Sequence, residues 1–240
     1  MSTSAPGSRL LERDGVVAAV MPAVPERSMM NAVVYEGAGA LAGALGELGD
    51  AYAEAGVEAW MVLTPAVDGQ AKRLLRRAGH RRVERASGMV RDLTGVARPA
   101  HRALDEWTAE GDPVAMAAIC DRAFAADTAF TRAFSALPPG RAHVYVASLD
   151  GEPASCLMTS HHDGNCAVDL AATLPAAQGR GLSGGLLAHA LADAVERGCE
   201  TTSVVASDAG ERVYERLGYR AVCPIQHWER RSRAPTAIES

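Results

Sequence analysis

The chain has 240 residues, of which 48% are hydrophobic and 22% charged, a balance typical of a soluble globular protein. No apolar run approaches the roughly 20 residues that span a bilayer, and the first residues lack the apolar core of a secretory signal, so we expect a cytoplasmic protein that does not enter a membrane. The net charge of −5 argues against a general nucleic-acid binder. The five cysteines form no C-x-x-C pair and no zinc-like group with histidines, so we expect reduced thiols and no metal.

The first half of the chain contains segments that recur, in the same order, in the second half. The pairs are EAGVEAWMVLTP (54–65) with ERGCETTSVVAS (196–207), and GQAKRLLRRAGHRRV (69–83) with GERVYERLGYRAV (210–222). The first pair predicts a helix end, a glycine and a strand. The second predicts a helix that ends at a glycine suited to a C-terminal cap, Gly79 or Gly218. Two matches with similar spacing predict a duplicated αβα unit.

The second half predicts a longer series of elements. Asp112-Pro113 begins a helix, because proline favours the first helical turn, and a short helix at about 128–136 follows. Asp150-Gly151 is a hairpin signal between two β-rich runs, and the polar segment HHDGN (161–165), which we interpret as a hairpin tip rather than a metal tract, leads to a third strand at 166–174. The remaining predicted elements are a helix at 182–197, a strand at 201–206, a helix at 209–217 and a strand at about 219–229.

The stretch LPAAQGRGLSGGLL (174–187) joins the third strand of this predicted meander to the helix after it. Gly179, Gly181 and Gly184 spell G-x-G-x-x-G, the dinucleotide-binding fingerprint. That fingerprint normally follows the first strand of a mostly parallel sheet, whereas only about 55 residues remain here for one crossover unit. A second alternative is purely structural, with glycines that let the helix pack close to a strand, but it gives no role to Gln178 and Arg180.

The same stretch resembles the signature of the GCN5-related N-acetyltransferases, Q/R-x-x-G-x-G/A after the fourth strand. It appears here as Gln178-Gly179-Arg180-Gly181-Leu182-Ser183, with Ser183 in place of the last glycine or alanine. The family's later Y-x-x-x-G-F element appears as Tyr214-Glu215-Arg216-Leu217-Gly218-Tyr219, and Ser207 replaces the asparagine that often opens its helix. The resemblance covers about residues 104–230.

The resemblance implies an α+β fold, the GNAT fold, in which helices flank a mixed and mostly antiparallel central sheet. Together with the internal repeat it predicts a duplicated molecule in three parts. These are a degenerate GNAT-like domain at 1–98, a catalytic GNAT domain at 104–231 and a flexible tail at 232–240.

In the resembled family the glycine loop holds the pyrophosphate of acetyl-CoA, and the chemistry of the loop agrees with this. A helix N-terminus carries unpaired N–H groups and about half a positive charge, and glycines let those groups surround a phosphate. The pantetheine arm would run along the fourth strand, closest to residues 172–174. The predicted cofactor-binding residues are Ala172, Thr173, Leu174, Gln178, Gly179, Arg180, Gly181, Leu182, Ser183 and Gly184.

The resemblance also assigns the catalytic groups. Tyr214 matches the tyrosine that protonates the CoA sulfur, and a phenol of pKa near 10 is a proton donor at neutral pH. Asp169 lies on the fourth strand, where such enzymes often place a carboxylate or a water chain, and is the candidate base; His143 and His161 are weaker candidates. The implied activity is acetyl transfer from acetyl-CoA to a primary amine of a small molecule or peptide. A non-catalytic acyl-CoA sensor is the alternative, and a homodimer remains open.

The first half lacks the signature at the corresponding place. YEGAGALAGALGEL (35–48) has glycines at 37, 39 and 43 but no glutamine or arginine before them, and Glu36 would repel a phosphate. Leu75 falls where Tyr214 lies in the second half. We therefore expect a degenerate copy that packs against the active one and lines its acceptor pocket; a second CoA site is the alternative.

Overall fold

The computed structural model describes residues 5–97, 107–108, 111–134, 136–138, 140 and 142–232. They divide into two compact units. Unit 1 contains the chain up to Ala86 together with the segment from Pro224 onward, and unit 2 contains Ser87–Cys223. The division cuts two long strands near their middles, so each unit includes part of both.

Unit 1 is a sheet with two helices. Its elements are β1 (Arg9–Arg13), β2 (Val16–Val20), β3 (Ala32–Tyr35), α1 (Ala38–Glu54), β4 (Ala59–Pro65), α2 (Gly69–Arg77), the first part of β5 (Arg81–Asp92) and the second part of β11 (Arg220–Arg231). Strands β1, β2 and β3 pair antiparallel in turn, and β3 pairs with β4 in parallel. Strand β11 then pairs antiparallel with the other edge of β4.

Unit 2 holds the predicted meander. Its elements after β5 are β6 (Trp107–Thr108), α3 (Pro113–Ala123), α4 (Ala129–Phe134), β7 (His143–Leu149), β8 (Glu152–His162), β9 (Asn165–Thr173), α5 (Leu182–Glu196), β10 (Thr201–Ser207) and α6 (Asp208–Arg216). Strands β6 to β9 pair antiparallel in turn. Strand β10 pairs in parallel with β9, after the crossover through α5.

Local sequence signals account for several of these boundaries. Asp112 caps α3 by accepting a hydrogen bond from the Val114 N–H at 2.9 Å, and Pro113 occupies the first turn, as predicted. Asp150-Gly151 and Asp163-Gly164 both have positive φ at their two residues, which is the type I′ turn that matches strand twist. The segment HHDGN is therefore a hairpin tip.

Each unit has its own core. In unit 1, α1 and α2 cover one face of the sheet, where Tyr52 stacks on Trp60 with ring centroids 4.7 Å apart. In unit 2, the buried side chains of α5 and α3 pack on the strands β7 to β9. Cys120 of α3 and Cys156 of β8 are buried there as free thiols, their sulfurs 3.6 Å apart.

The order of elements repeats between the two units. A parallel strand pair joined by a helix (β3–α1–β4 and β9–α5–β10) is followed by a nine-residue helix, α2 or α6, and a glycine with φ near 85°. These glycines are Gly79 and Gly218. Each is in the αL conformation, which favours glycine at the end of a helix. The common order agrees with the predicted duplication, and the duplication itself stays a prediction.

The predicted domain 104–231 includes the whole of β11, whereas the structure assigns only residues 220–223 of this strand to unit 2. Residues 225–231 of β11 pair with β4 and so complete unit 1, while residues 87–92 of β5 belong to unit 2. The predicted boundary near residues 98–104 and the tail from 233 onward lie outside the described residues, so the three-part division stays a prediction.

Candidate active site

Strands β9 and β10 run in parallel but separate before they end. Their pairing stops at Val168 with Val204, although β9 continues for five residues and β10 for three. Within this part of the described chain, the edge of β9 that faces β10 therefore keeps unpaired N–H and C=O groups after Val168. Such an opening between parallel strands can admit an extended ligand that bonds to the strand backbone.

Asp169 lies at the point where the two strands separate. Thr159 of β8 pairs with Val168, while its neighbour Met158 pairs with Leu170, so Asp169 is the extra residue of a β-bulge. A bulge bends its strand and redirects a side chain, which explains why the separation begins here.

The Asp169 carboxyl group is half-buried and only partly satisfied. Its Oδ2 atom is buried and has no hydrogen-bond partner among the described residues. Burial raises the pKa of Asp169, and a hydrogen bond from the Ser160 side chain partly opposes that increase. A carboxylate with one unsatisfied oxygen and a raised pKa is suited to accept a proton.

The glycine loop connects the end of β9 to α5. Gly179 and Gly181 have φ of 76° and 81°, a region that side-chain-bearing residues rarely adopt. Gly181 is the N-terminal cap residue of α5, with no side-chain cap and no acidic residue in the first turn. A Cβ added at either glycine, or at Gly184, would meet no atom within 4 Å. The first turn of this 15-residue helix thus has no side-chain cap for its N–H groups, and there is room around the three glycines.

The other residues predicted to bind the cofactor surround this loop. Ala172, Leu174 and Leu182 are buried, while Gln178 and Arg180 are exposed. The Gln178 amide donates to the Thr173 carbonyl at 3.4 Å. The ten predicted residues thus form one short segment with three buried apolar side chains and two exposed polar side chains; their contact with a cofactor stays a prediction.

Tyr214 lies on α6, which begins directly after β10. Ser207 caps this helix by accepting a hydrogen bond from the Gly210 N–H at 3.3 Å. The Tyr214 ring packs edge-to-face on Tyr219, with centroids 5.3 Å apart, and burial raises the pKa of Tyr214 to about 12. The phenol is therefore protonated at neutral pH, and no residue of the described chain accepts a hydrogen bond from it.

His143 of β7 and His161 of β8 lie on strands that precede β9 in the meander. Their rings are 4.4 Å apart; His143 pairs with Thr159, whose partner on β9 is Val168, and His161 pairs with Cys166. Burial lowers the pKa of His161 to about 4. The candidacy of either histidine as the base stays a prediction.

The connection of unit 1 that corresponds to the glycine loop, between β3 and α1, is much shorter. Only Glu36 and Gly37 separate β3 from α1, whereas eight residues separate β9 from α5. Gly37 has φ of −158°, which is ordinary extended backbone. The Tyr35 hydroxyl donates to the Asp68 carboxylate at 3.0 Å, joining the end of β3 to the start of α2.

Two kinds of site are not found in the part of the chain that the structure describes. No group of three or more histidine, cysteine, aspartate or glutamate side chains is placed to hold a metal ion. Among the described helices, none combines the length and apolar character needed to cross a bilayer.

Comparison with known proteins identifies relatives of this arrangement. Residues 101–219 match the model of the acetyltransferase (GNAT) family. No curated protein matches the chain in sequence.

Several solved structures are similar over most of the chain. A GCN5-related N-acetyltransferase from Kribbella flavida has 17% identity and a TM-score of 0.66, covering 92% of this chain and 89% of that one. One from Sphaerobacter thermophilus has 19% identity and a TM-score of 0.60, covering 90% and 80%. A tandem GNAT protein from the clavulanic acid biosynthesis pathway has 14% identity and a TM-score of 0.63, covering 95% and 84%. At these identities the likeness shows the fold, and it confirms the predicted mixed sheet flanked by helices.

Proposed function

Residues 101–219 belong to the GNAT acetyltransferase family, and from this premise we propose that the protein transfers acetyl from acetyl-CoA to a primary amine of a small molecule or peptide. The observation that carries the proposal is the separation of β9 from β10, which opens beside the glycine loop. One opening thus offers a strand edge for an extended arm and a helix N-terminus for an anion.

The glycine loop is the proposed pyrophosphate site. Unpaired N–H groups and the helix dipole attract an anion at this position, and side chains at Gly179 and Gly181 would crowd it. Arg180 adds a positive charge at the rim, and Gln178 adds an amide donor. The unpaired edge of β9 would bond the pantetheine arm.

The proposed reaction is direct attack of the amine on the thioester carbon, with no covalent enzyme intermediate. Acetyl-CoA supplies an activated acyl group and a thiol leaving group. Asp169 accepts a proton from the acceptor ammonium, directly or through a water molecule. Tyr214 donates its proton toward the departing sulfur, since its raised pKa of about 12 keeps the phenol neutral.

We also propose that unit 1 contains no second acetyl-CoA site. Its β3–α1 connection is two residues long and carries Glu36, whose charge opposes a phosphate. The pairing of β3 with β4 stops at Val33 with Val62, and the Tyr35–Asp68 hydrogen bond links the two chain segments beyond that point. The predicted role of this half in lining the acceptor pocket stays a prediction.

Replacing Tyr214 by phenylalanine tests the proposed activity. We expect kcat for thiol release, measured with a panel of amines, to fall on the order of 100-fold because general acid catalysis is lost. Calorimetry should find the affinity for CoA nearly unchanged.

Tyr219→Phe is the matched control, because it removes one phenol hydroxyl from the same ring pair. That hydroxyl lies 2.9 Å from Thr202 Oγ1 in the interior, so its loss should lower stability and leave kcat nearly intact. A protein that binds CoA but shows no turnover with any amine would contradict the enzymatic proposal and favour an acyl-CoA sensor.

A further inference from the structure

A cluster of arginines distinguishes unit 1 from the rest of an acidic chain. Residues 72–85 contain seven basic side chains and one acidic side chain, a net charge of +6. The remaining 17 basic and 28 acidic residues give the rest of the chain a net charge of −11. The overall charge of −5 therefore conceals one strongly positive segment.

This segment folds so that five exposed arginines share one side of unit 1. The exposed side of α2 carries Arg73, Arg76 and Arg77, at the i, i+3 and i+4 positions of a helix. The turn into β5 takes only three residues, and β5 is exposed from Arg81 to Arg85.

The alternation of side chains along β5 decides which of its arginines face α2. Val62 faces the core under α1 and α2, so its neighbour Leu63 faces the other side of the sheet. His227 pairs with Leu63 and shares that side. Glu84 contacts His227 at 3.1 Å there. Glu84 and Arg82 therefore point away from the helices, and Arg81 and Arg85 point to the same side as α2. We call Arg73, Arg76, Arg77, Arg81 and Arg85 the arginine surface.

None of these five guanidinium groups forms an ion pair with any described residue of the chain. Glu84, the acidic residue within the segment, contacts His227 on the opposite face. Asp68, at the start of α2, accepts hydrogen bonds from Tyr35 and from the Ala71 N–H. Arg76 lies over the Trp228 ring, 5.2 Å from its centroid, which fixes its stem on the surface.

We propose that the arginine surface binds an acidic polypeptide segment. Guanidinium groups bind carboxylates through two parallel hydrogen bonds, and these five have no such partner in the part of the chain that the structure describes. The nine residues of α2 extend about 14 Å, and residues 81–85 extend a similar distance. This footprint corresponds to about three turns of a helix with aspartate or glutamate on one side.

A compact acidic segment fits better than a nucleic acid or a membrane. A long polyanion would extend beyond the footprint and meet the net negative charge of the rest of the chain, while a short segment would not. The arginine surface offers no exposed aromatic ring for base stacking. Val83 is the single exposed apolar side chain of β5 there, which is too little for insertion into a bilayer.

The test uses the full chain and a fluorescent peptide of about a dozen residues, half of them glutamate, which spans three helical turns. Anisotropy should show binding at low ionic strength that weakens as salt is added. The variant Arg73→Gln/Arg77→Gln/Arg85→Gln should lose about tenfold in affinity, since each surface charge contributes a modest amount. Arg76 is left unchanged because it covers Trp228.

The matched control is Arg9→Gln/Arg82→Gln/Arg122→Gln, which makes the same charge change at exposed positions outside the arginine surface. It should bind like the native chain, and thermal melting should find all three proteins folded.

Absence of peptide binding, or an equal loss in both variants, would overturn the proposal. Tighter binding of a short DNA duplex or of vesicles containing phosphatidylglycerol, lost in the first variant, would overturn the assignment to a polypeptide. The proposal is independent of acetyl transfer.

Discussion

At the scale of single residues, Asp169 combines a β-bulge position with an environment that disfavours its charged form. It is the extra residue of a bulge, and burial raises the pKa of its carboxyl group. A raised pKa in the folded state means that ionisation of Asp169 costs folding stability. The stability that the neutral carboxyl group contributes is fully present below its unfolded pKa of about 3.9, and it is lost as the pH rises through the pKa of the folded state. The ionised form of Asp169 therefore lowers the stability of the folded protein.

We therefore expect Asp169→Asn to lose activity without losing stability. The acidic limb of the kcat/KM profile should disappear, and kcat/KM at neutral pH should fall on the order of 100-fold. The melting temperature at neutral pH should equal or exceed that of the native protein, and the difference should vanish in acid, where the native carboxyl group is also neutral.

The control for this change is Asp163→Asn, at an exposed hairpin turn in the αL conformation that asparagine tolerates. It should leave both the pH profile and the melting temperature nearly unchanged. An Asp169→Asn variant with the full native profile would exclude Asp169 as the base.

At the scale of elements, substitutions in and near the glycine loop can distinguish backbone strain from obstruction of the proposed pyrophosphate site. Gly181→Val imposes both an unfavourable φ and a side chain in the proposed pyrophosphate site, whereas Gly184→Val adds only the side chain, since its position is helical. Gly198→Val, at the far end of the same helix, imposes only the strain, with φ of 85° and open space around it.

Calorimetry with CoA and thermal melting should therefore give a distinct pattern for each variant. Gly181→Val and Gly184→Val should each lose at least about tenfold in CoA affinity. Gly181→Val and Gly198→Val should each lose about 1–2 kcal/mol of stability. Native-like CoA affinity in Gly184→Val would contradict the proposed pyrophosphate site.

Sequence patterns predicted the elements of unit 2 well because their signals are local. Asp112-Pro113, the two Asp-Gly turns and the glycine caps each act within a few residues. The bulge at Asp169 was not predictable, because Cys166, Val168, Leu170 and Ala172 alternate as in an unbroken strand. In the structure the bulge shifts the register. Cys166 and Val168 pair with His161 and Thr159 on one face of β8, whereas Leu170 and Ala172 pair with Met158 and Cys156 on the opposite face.

At the scale of the whole molecule, the partner of β4 could not be predicted either. Strand β11 is separated from β4 by about 160 residues of chain, and its hydrophobic pattern does not specify which edge it joins. The arginine surface was missed for a related reason: a net charge averages over the chain, and only the fold shows which arginines of α2 and β5 share a side.

The pairing of β11 with β4 leads to a prediction about stability across the chain. Trp228 is 3% exposed and belongs to the core of unit 1, although it lies near the C-terminal end of the sequence. Trp228→Ala should cost about 3–5 kcal/mol, because it leaves a cavity beside Val62 and removes the ring beneath Arg76. Val222→Ala, on an exposed part of the same strand, should cost less than about 0.5 kcal/mol.

Hydrogen exchange can locate the effect of Trp228→Ala. The amides of α1 and β4 in unit 1 should lose protection first, because their core loses a large buried ring, while β7, β8 and β9 in unit 2 retain theirs. Loss confined to β7–β9 would contradict the assignment of the C-terminal strand to unit 1. Loss in unit 1 alone would show that β11, the last of the described strands, stabilises the unit formed by the first half of the chain.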